Sequence, residues 1–269
     1  MAKCRFQIMK KNSKPKYVNY HSVSVPSGKP VHWIRFKKES WYLRNVNNSN
    51  EKYKKRLEEI VNNGYSILIN QIAGNAIQID NEASFQLQFA YILKTLGDLY
   101  RYSSNDLFTI ELENTFSIKS QFAKSKTKKA RVDIILSLGD FSNFSTVAIE
   151  LKFLKAINHR EPNNRYDAFL DLHNLEVYKR ENLFDITYFI LGTDHKHYVN
   201  QKNYSTPTSK FDLRNGSTYK AKTTLIYGTS KPYGVPLALE NDYTFNWDII
   251  KKEFDNDDKE ELYFLKVKG

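Results

Sequence analysis

Apolar positions in this chain recur with two different periods, and the alternation between them outlines the elements. Residues 50–62 place Tyr53, Leu57, Ile60 and Val61 on one face of a helix, and Asn63-Gly64 then reads as its stop. The apolar run at 65–72 is short enough for a strand. A clearer helix starts at an Asn81 cap and carries Phe85, Phe89, Ile92, Leu93, Leu96 and Leu99 near the 3.6 period. Three strand patterns follow at 108–118, 131–138 and 146–154. A basic stretch, 121–131, joins the first two, and a hairpin-length turn at 139–145 joins the last two. After a polar break at 158–164 the pattern predicts a helix over 165–180 and a strand over 185–191. Beyond Thr193 it predicts a strand at 223–227, a short helix at 247–254 and a final strand at 261–267, with a solvated acidic turn at 255–261. On the 165–180 helix, Asp167 and Asp171 share a face, which reads as solvated.

The expected fold class is α/β, a mixed sheet with helices on its faces. The expected organisation is a basic, aromatic N-terminal region over 1–80, a core over 81–194 and a C-terminal extension over 195–269 packed on that core. In the N-terminal region residues 32–37 alternate like a strand, and Pro15, Pro26, Gly28 and Pro30 divide it into short pieces.

The chain has 269 residues, long enough for a sizeable core, and 14% of them are aromatic, which argues against wholesale disorder. No apolar run approaches the ~20 residues a membrane span needs, and the basic first residues lack the apolar segment of a secretory signal. Cys4 is the single cysteine, which excludes a disulfide framework and a thiolate zinc site. The expectation is a cytoplasmic protein without membrane contact.

Charge narrows the partner. The net charge is +11, but the first 57 residues hold 15 Lys and Arg against Glu39 and Glu51, a surplus of +13. The other 212 residues carry 26 basic and 28 acidic side chains, or −2. Such asymmetry, with Trp33, Phe36, Trp41 and Tyr42 among the cations, points to a polyanion, most often nucleic acid. An ordinary lysine-rich surface is the competing explanation.

The chemistry rests on one strand. An acid, any residue and a lysine occur in that order three times, at Glu150–Lys152, Asp194–Lys196 and Asp257–Lys259. Only the first lies inside an alternating strand. There Val147, Ile149, Leu151 and Phe153 point to one face, and Glu150 and Lys152 to the other. On the preceding strand Asp133 sits between Val132 and Ile134, and the short turn makes the two strands neighbours, so Asp133 can face Glu150. Two carboxylates beside a lysine suit metal-assisted hydrolysis. Asp133, Glu150 and the Leu151 carbonyl would hold Mg²⁺, and Lys152 would orient water or stabilise developing negative charge. Glu82, with Gln86 one turn on, would add a carboxylate if its helix packs beside these strands. A surface salt bridge between Glu150 and Lys152 is the alternative explanation. His195 and His197, two apart after a strand, lack the partners of a metal set.

Asp133 in residues 131–136 (RVDIIL), Glu150 and Lys152 in residues 147–153 (VAIELKF), and the flanking order of helix, three strands, helix and strand resemble the PD-(D/E)xK nuclease superfamily. The resemblance covers about residues 81–194. Val132 stands where the superfamily name has proline. The resemblance implies a restriction-endonuclease-like core and Mg²⁺-dependent phosphodiester cleavage by Asp133, Glu150 and Lys152, with Glu82 as an added acid in some members. Within the superfamily it suggests a type II restriction endonuclease acting on double-stranded DNA, and by class a homodimer. Lys124, Lys126, Lys128, Lys129 and Arg165 are candidate phosphate contacts. Two other classes compete: a structure-specific repair, recombination or antiviral nuclease, and a non-catalytic nucleic-acid-binding protein.

Overall fold

The computed structural model describes residues 51–117, 129–140, 143–253 and 259–269, with only the backbone at Ser117, Glu253 and Lys259, and the backbone of four strands within the first 45 residues. Those four strands, β1 (Cys4–Ile8), β2 (Lys16–Ser22), β3 (Val31–Phe36) and β4 (Ser40–Asn45), form an antiparallel sheet of order β2-β1-β4-β3. The strand expected at 32–37 is β3; the side chains of this region lie outside the described residues.

Helix α1 (Glu51–Ala73) runs straight through Asn63-Gly64. The expected stop and the expected strand at 65–72 are therefore both corrected. Gly64, Tyr65, Leu68 and Ile72 continue the buried face begun by Tyr53, Leu57 and Ile60, so the 3.6 period never breaks. Gly64 serves packing instead: a Cβ there would lie 2.8 Å from Leu93 Cδ2, so its absence lets the next helix approach. That helix, α2 (Glu82–Leu99), is capped by Asn81 as expected. The Asn81 carboxamide accepts from Ser84 N at 2.9 Å, and Ser84 Oγ accepts from Asn81 N at 3.1 Å.

The central sheet has six strands in the order β11-β12-β8-β7-β6-β5. It is built from β5 (Leu107–Ser117), β6 (Lys129–Gly139), β7 (Phe144–Leu154), β8 (Ile186–Thr193), β11 (Trp247–Glu253) and β12 (Lys259–Lys268). Only β7 and β8 are parallel, and α3 (Glu161–Arg180) makes the crossover between them. Helices α1 and α2 bury Ile134, Val147, Ile149, Leu151 and Phe153 on one face. Helix α3 and the chain after β8 bury Ile135, Ala148, Phe189 and Leu191 on the other. The protein is thus mixed α/β, a mostly antiparallel sheet covered by helices. Among the described residues no helix is long and apolar enough to cross a membrane.

The chain after β8 lies over α3 in loops, with the short helix α4 (His197–Asn200) and a two-strand pair, β9 (Thr218–Tyr219) and β10 (Tyr243–Thr244). Buried Glu176 ties this layer down: it accepts from the amides of Glu240 and Asn241 and from the Tyr243 hydroxyl at 2.7–2.9 Å. The strand expected at 223–227 is reduced to one bridge, Leu225 to Leu237. The helix expected at 247–254 is strand β11, because seven residues pair with β12. Residues 255–258 of the expected acidic turn lie outside the described residues, and its last three begin β12. The sheet core consequently runs from α1 to β12, across both expected divisions at 80 and 194.

Candidate active site

Strands β6 and β7 pair from Gly139↔Phe144 to Ile134↔Ile149 and then part. The next opposed residues would be Asp133 and Glu150. Strand β6 instead stays on β5, through Asn114↔Val132 and Thr115↔Arg131, and Glu113 beside this point takes a left-handed φ of 54°. The parting strands leave the Leu151 N–H without a ladder partner. The Asp133 carboxylate supplies one, accepting from Leu151 N at 2.7 Å. From α2, Gln86 Nε2 donates to the Asp133 carbonyl and to Glu113 Oε1, each at 2.9 Å, and so holds the detached turn of β6 in place.

The expected alternation of β7 is observed: Val147, Ile149, Leu151 and Phe153 lie under α1 and α2, and Glu150 and Lys152 project towards α3. Asp133 and Glu150 are 8% and 6% exposed and hydrogen-bond to one another. Burial pushes Asp133 up to about 6, against the opposing pull of the Leu151 N–H and Lys152. Burial, then the charges of Asp133 and Asp171, hold Glu150 well above the usual carboxylate range. The Lys152 ammonium is 3.3 Å from Asp171 Oδ2, 3.9 Å from Glu82 Oε2 and 3.4 Å from the Leu151 carbonyl oxygen. Burial works against its charge, but Asp171, Glu82, Asp133 and Glu150 together outweigh it and raise its pKa.

The structure therefore brings together Asp133, Glu150, Leu151, Lys152 and Glu82, although Glu82 reaches the cluster only through Lys152 and is half exposed. Asp171 belongs to it too, and its expected solvated face is corrected: the residue is 6% exposed. Its signal in the sequence was an acid inside the apolar run Phe169-Leu170-Asp171-Leu172, which argues for burial over a water-facing turn. Tyr178, two turns on, hydrogen-bonds to Glu150 and was not singled out by the pattern at all.

The candidate phosphate contacts fare differently. Lys124, Lys126 and Lys128 lie outside the described residues. Lys129 is exposed at the start of β6, four residues from Asp133, or roughly 13 Å along the strand. Arg165 is corrected: it is 1% exposed, stacked 3.5 Å from the Tyr204 ring centroid, with Nη2 donating to Thr208 Oγ1 at 2.9 Å. Its place on the first turns of α3, under the C-terminal loops, makes it an internal anchor with no surface to offer a phosphate. His195 pairs with Glu161 at 3.1 Å and stacks on His197.

Among the described residues no three His, Cys, Asp or Glu side chains are grouped to hold a metal ion alone. Mg²⁺ does not require this, because it keeps several waters and binds through one or two carboxylates. Asp133, Glu150 and the Leu151 carbonyl fit that donor set: two carboxylates are buried side by side, where one divalent cation could balance both charges. Comparison with family models, with curated proteins and with solved structures finds no match to this chain.

Proposed function

We propose that the protein is a Mg²⁺-dependent endonuclease of restriction-endonuclease-like architecture that hydrolyses phosphodiester bonds in double-stranded DNA. The observation that carries the reading is the parting of β6 and β7, beside which the carboxylates of Asp133 and Glu150 and the Lys152 ammonium are brought together. The run of α2, three antiparallel strands, α3 and a parallel β8 supports it further. In this reading Asp133, Glu150 and the Leu151 carbonyl hold the cation, which when bound lowers the pKa of a coordinated water and neutralises phosphoryl charge. Lys152 is kept as an ammonium by its acidic neighbours, and so acts as a fixed positive charge towards the developing charge of the transition state. Its ammonium lies between buried Asp171 at 3.3 Å and half-exposed Glu82 at 3.9 Å, which supports that role. Glu82 and Gln86 orient the site from α2. The surplus of cations in the first 57 residues and exposed Lys129 favour a polyanionic substrate. Recognition of a defined site, and action as a homodimer across a two-fold axis, extend the proposal by class.

The test is incubation with plasmid DNA, with Mg²⁺ and with EDTA, beside Asp133→Ala, Glu150→Ala and Lys152→Ala. Discrete fragments that need Mg²⁺ and all three residues are the expected result. Cleavage by any of the three variants at the wild-type rate removes that residue from the site, and binding without cleavage favours a non-catalytic role.

A further inference from the structure

Two residues of α3 face the two charged residues of β7. Asp171 lies between Leu170 and Leu172, both fully buried, and its carboxylate sits 3.3 Å from the Lys152 ammonium. Replacing a buried ion pair by apolar residues is commonly neutral or stabilising, so a leucine at 171 would serve this core about as well. Tyr178 is 2% exposed and packs on Phe116 and Phe184, where a phenylalanine would fill the same space. Its hydroxyl instead hydrogen-bonds to Glu150.

The spacings match. Positions i and i+7 on a helix lie on one face, about 10.5 Å apart, while i and i+2 on a strand lie about 7 Å apart on one face. Helix α3 is the crossover between parallel β7 and β8, so it runs back against β7. Asp171, nearer its start, then meets Lys152, nearer the strand's end, and Tyr178 meets Glu150. The long lysine side chain spans the difference in the two repeats.

We infer that α3 is a positioning element for the β7 pair: Asp171 holds the Lys152 ammonium beside the two carboxylates and Tyr178 holds the Glu150 carboxyl in the orientation that meets a cation. This deepens the hydrolytic reading and rests on it for its catalytic consequence, although the Asp171–Lys152 tie itself stands on its 3.3 Å separation. Neither residue is placed to touch the substrate. Their effect is on how the two β7 groups are aimed.

The experiment uses the near-isosteric variants Asp171→Asn and Tyr178→Phe of the full chain, with thermal unfolding as the control for folding. Removing such supporting partners typically lowers activity or metal affinity roughly 10–100-fold. The expected result is a fall of that size in kcat for plasmid cleavage with KM for DNA unchanged. Mn²⁺ binding by calorimetry should weaken in Tyr178→Phe. Acylation of lysine amines, read by peptide mass spectrometry, should speed up at Lys152 in Asp171→Asn while Lys129 and Lys155 stay at wild-type rates. Faster labelling of Lys152 in a protein that cuts nothing would keep the tie and sink the hydrolytic reading. Unchanged labelling, or wild-type kcat in both variants, overturns the positioning role whatever the wild type cleaves.

Discussion

Asp133→Asn should make the cation-free protein more stable at neutral pH. The Asp133 carboxyl has an ordinary value of 3.8 and is pushed up to about 6 in the fold. Above both values the native and unfolded states are equally ionised, and the native state carries the full penalty. At ~1.36 kcal/mol per tenfold shift, that penalty is about 3 kcal/mol. Below about 3.8 both states are protonated and the penalty vanishes. Between the two values only the native state holds the proton, so stability falls as pH rises through that window. Asparagine removes the charge and keeps an oxygen to accept from Leu151 N. Its NH₂ needs a new partner, which the neighbouring Glu150 carboxyl can supply, so a net gain of roughly 1–2 kcal/mol is expected. For a domain of this size that raises Tm by roughly 2–8 °C. Thermal unfolding of both proteins at pH 7, 5 and 4 without divalent cations is the assay. The ionisation penalty shrinks to about half by pH 5 and below ~1 kcal/mol by pH 4, so the gain must shrink with it. An Asp133→Asn protein that melts at or below the wild type at pH 7, or a gain independent of pH, would refute the reasoning.

Other consequences follow from packing and charge. Gly97→Ala should destabilise despite alanine's better helix propensity, because the new Cβ would lie 2.0 Å from Phe108 Cε1. A loss of roughly 1–3 kcal/mol is expected in urea unfolding, and Phe108→Leu should recover part of it. Arg165→Ala should cost roughly 2–4 kcal/mol through the cavity left under Tyr204 and Thr208, while the salt dependence of DNA binding stays as in the wild type. Lys129→Ala should do the reverse, lowering the salt slope by about one with no change in Tm; a wild-type slope would show that Lys129 misses the backbone.

The legible parts of this protein were those where a short-range pattern meets a single environment. Strand β7 was readable because one of its faces is wholly apolar and the other carries the charged pair, so a period of two separates Leu151 from Glu150 and Lys152. The start of α2 was readable because a capping box is a contact among four consecutive residues. Strand β11 was not: Trp247, Ile250 and Phe254 fit a helical period, and only pairing with β12 makes the segment extended. The same holds for Asn63-Gly64, a stop signal by its chemistry that is overridden because the buried face of α1 continues beyond it and Leu93 needs the space. Arg165 read as a phosphate contact because charge usually marks surface, but α3 is covered by the sheet below and the loops above, so it has little solvated face.

For the candidate site, sequence alone determined which groups β7 presents, that Asp133 lies on the neighbouring strand, and that the basic surplus sits in the first fifth of the chain. These are consequences of alternation, a short turn and composition, all of which act over a few residues or none. Tertiary structure decided that β6 leaves β7 at Asp133, that the carboxylate repairs the missing ladder bond to Leu151, and that Asp171 and Tyr178 close the cluster from α3. No local rule could supply these, because each depends on where a strand parts from its neighbour or how a helix is laid across it. Burial is what turns an acid, a residue and a lysine from a surface pair into a coupled group with displaced pKa values, and burial is a property of the whole packed chain.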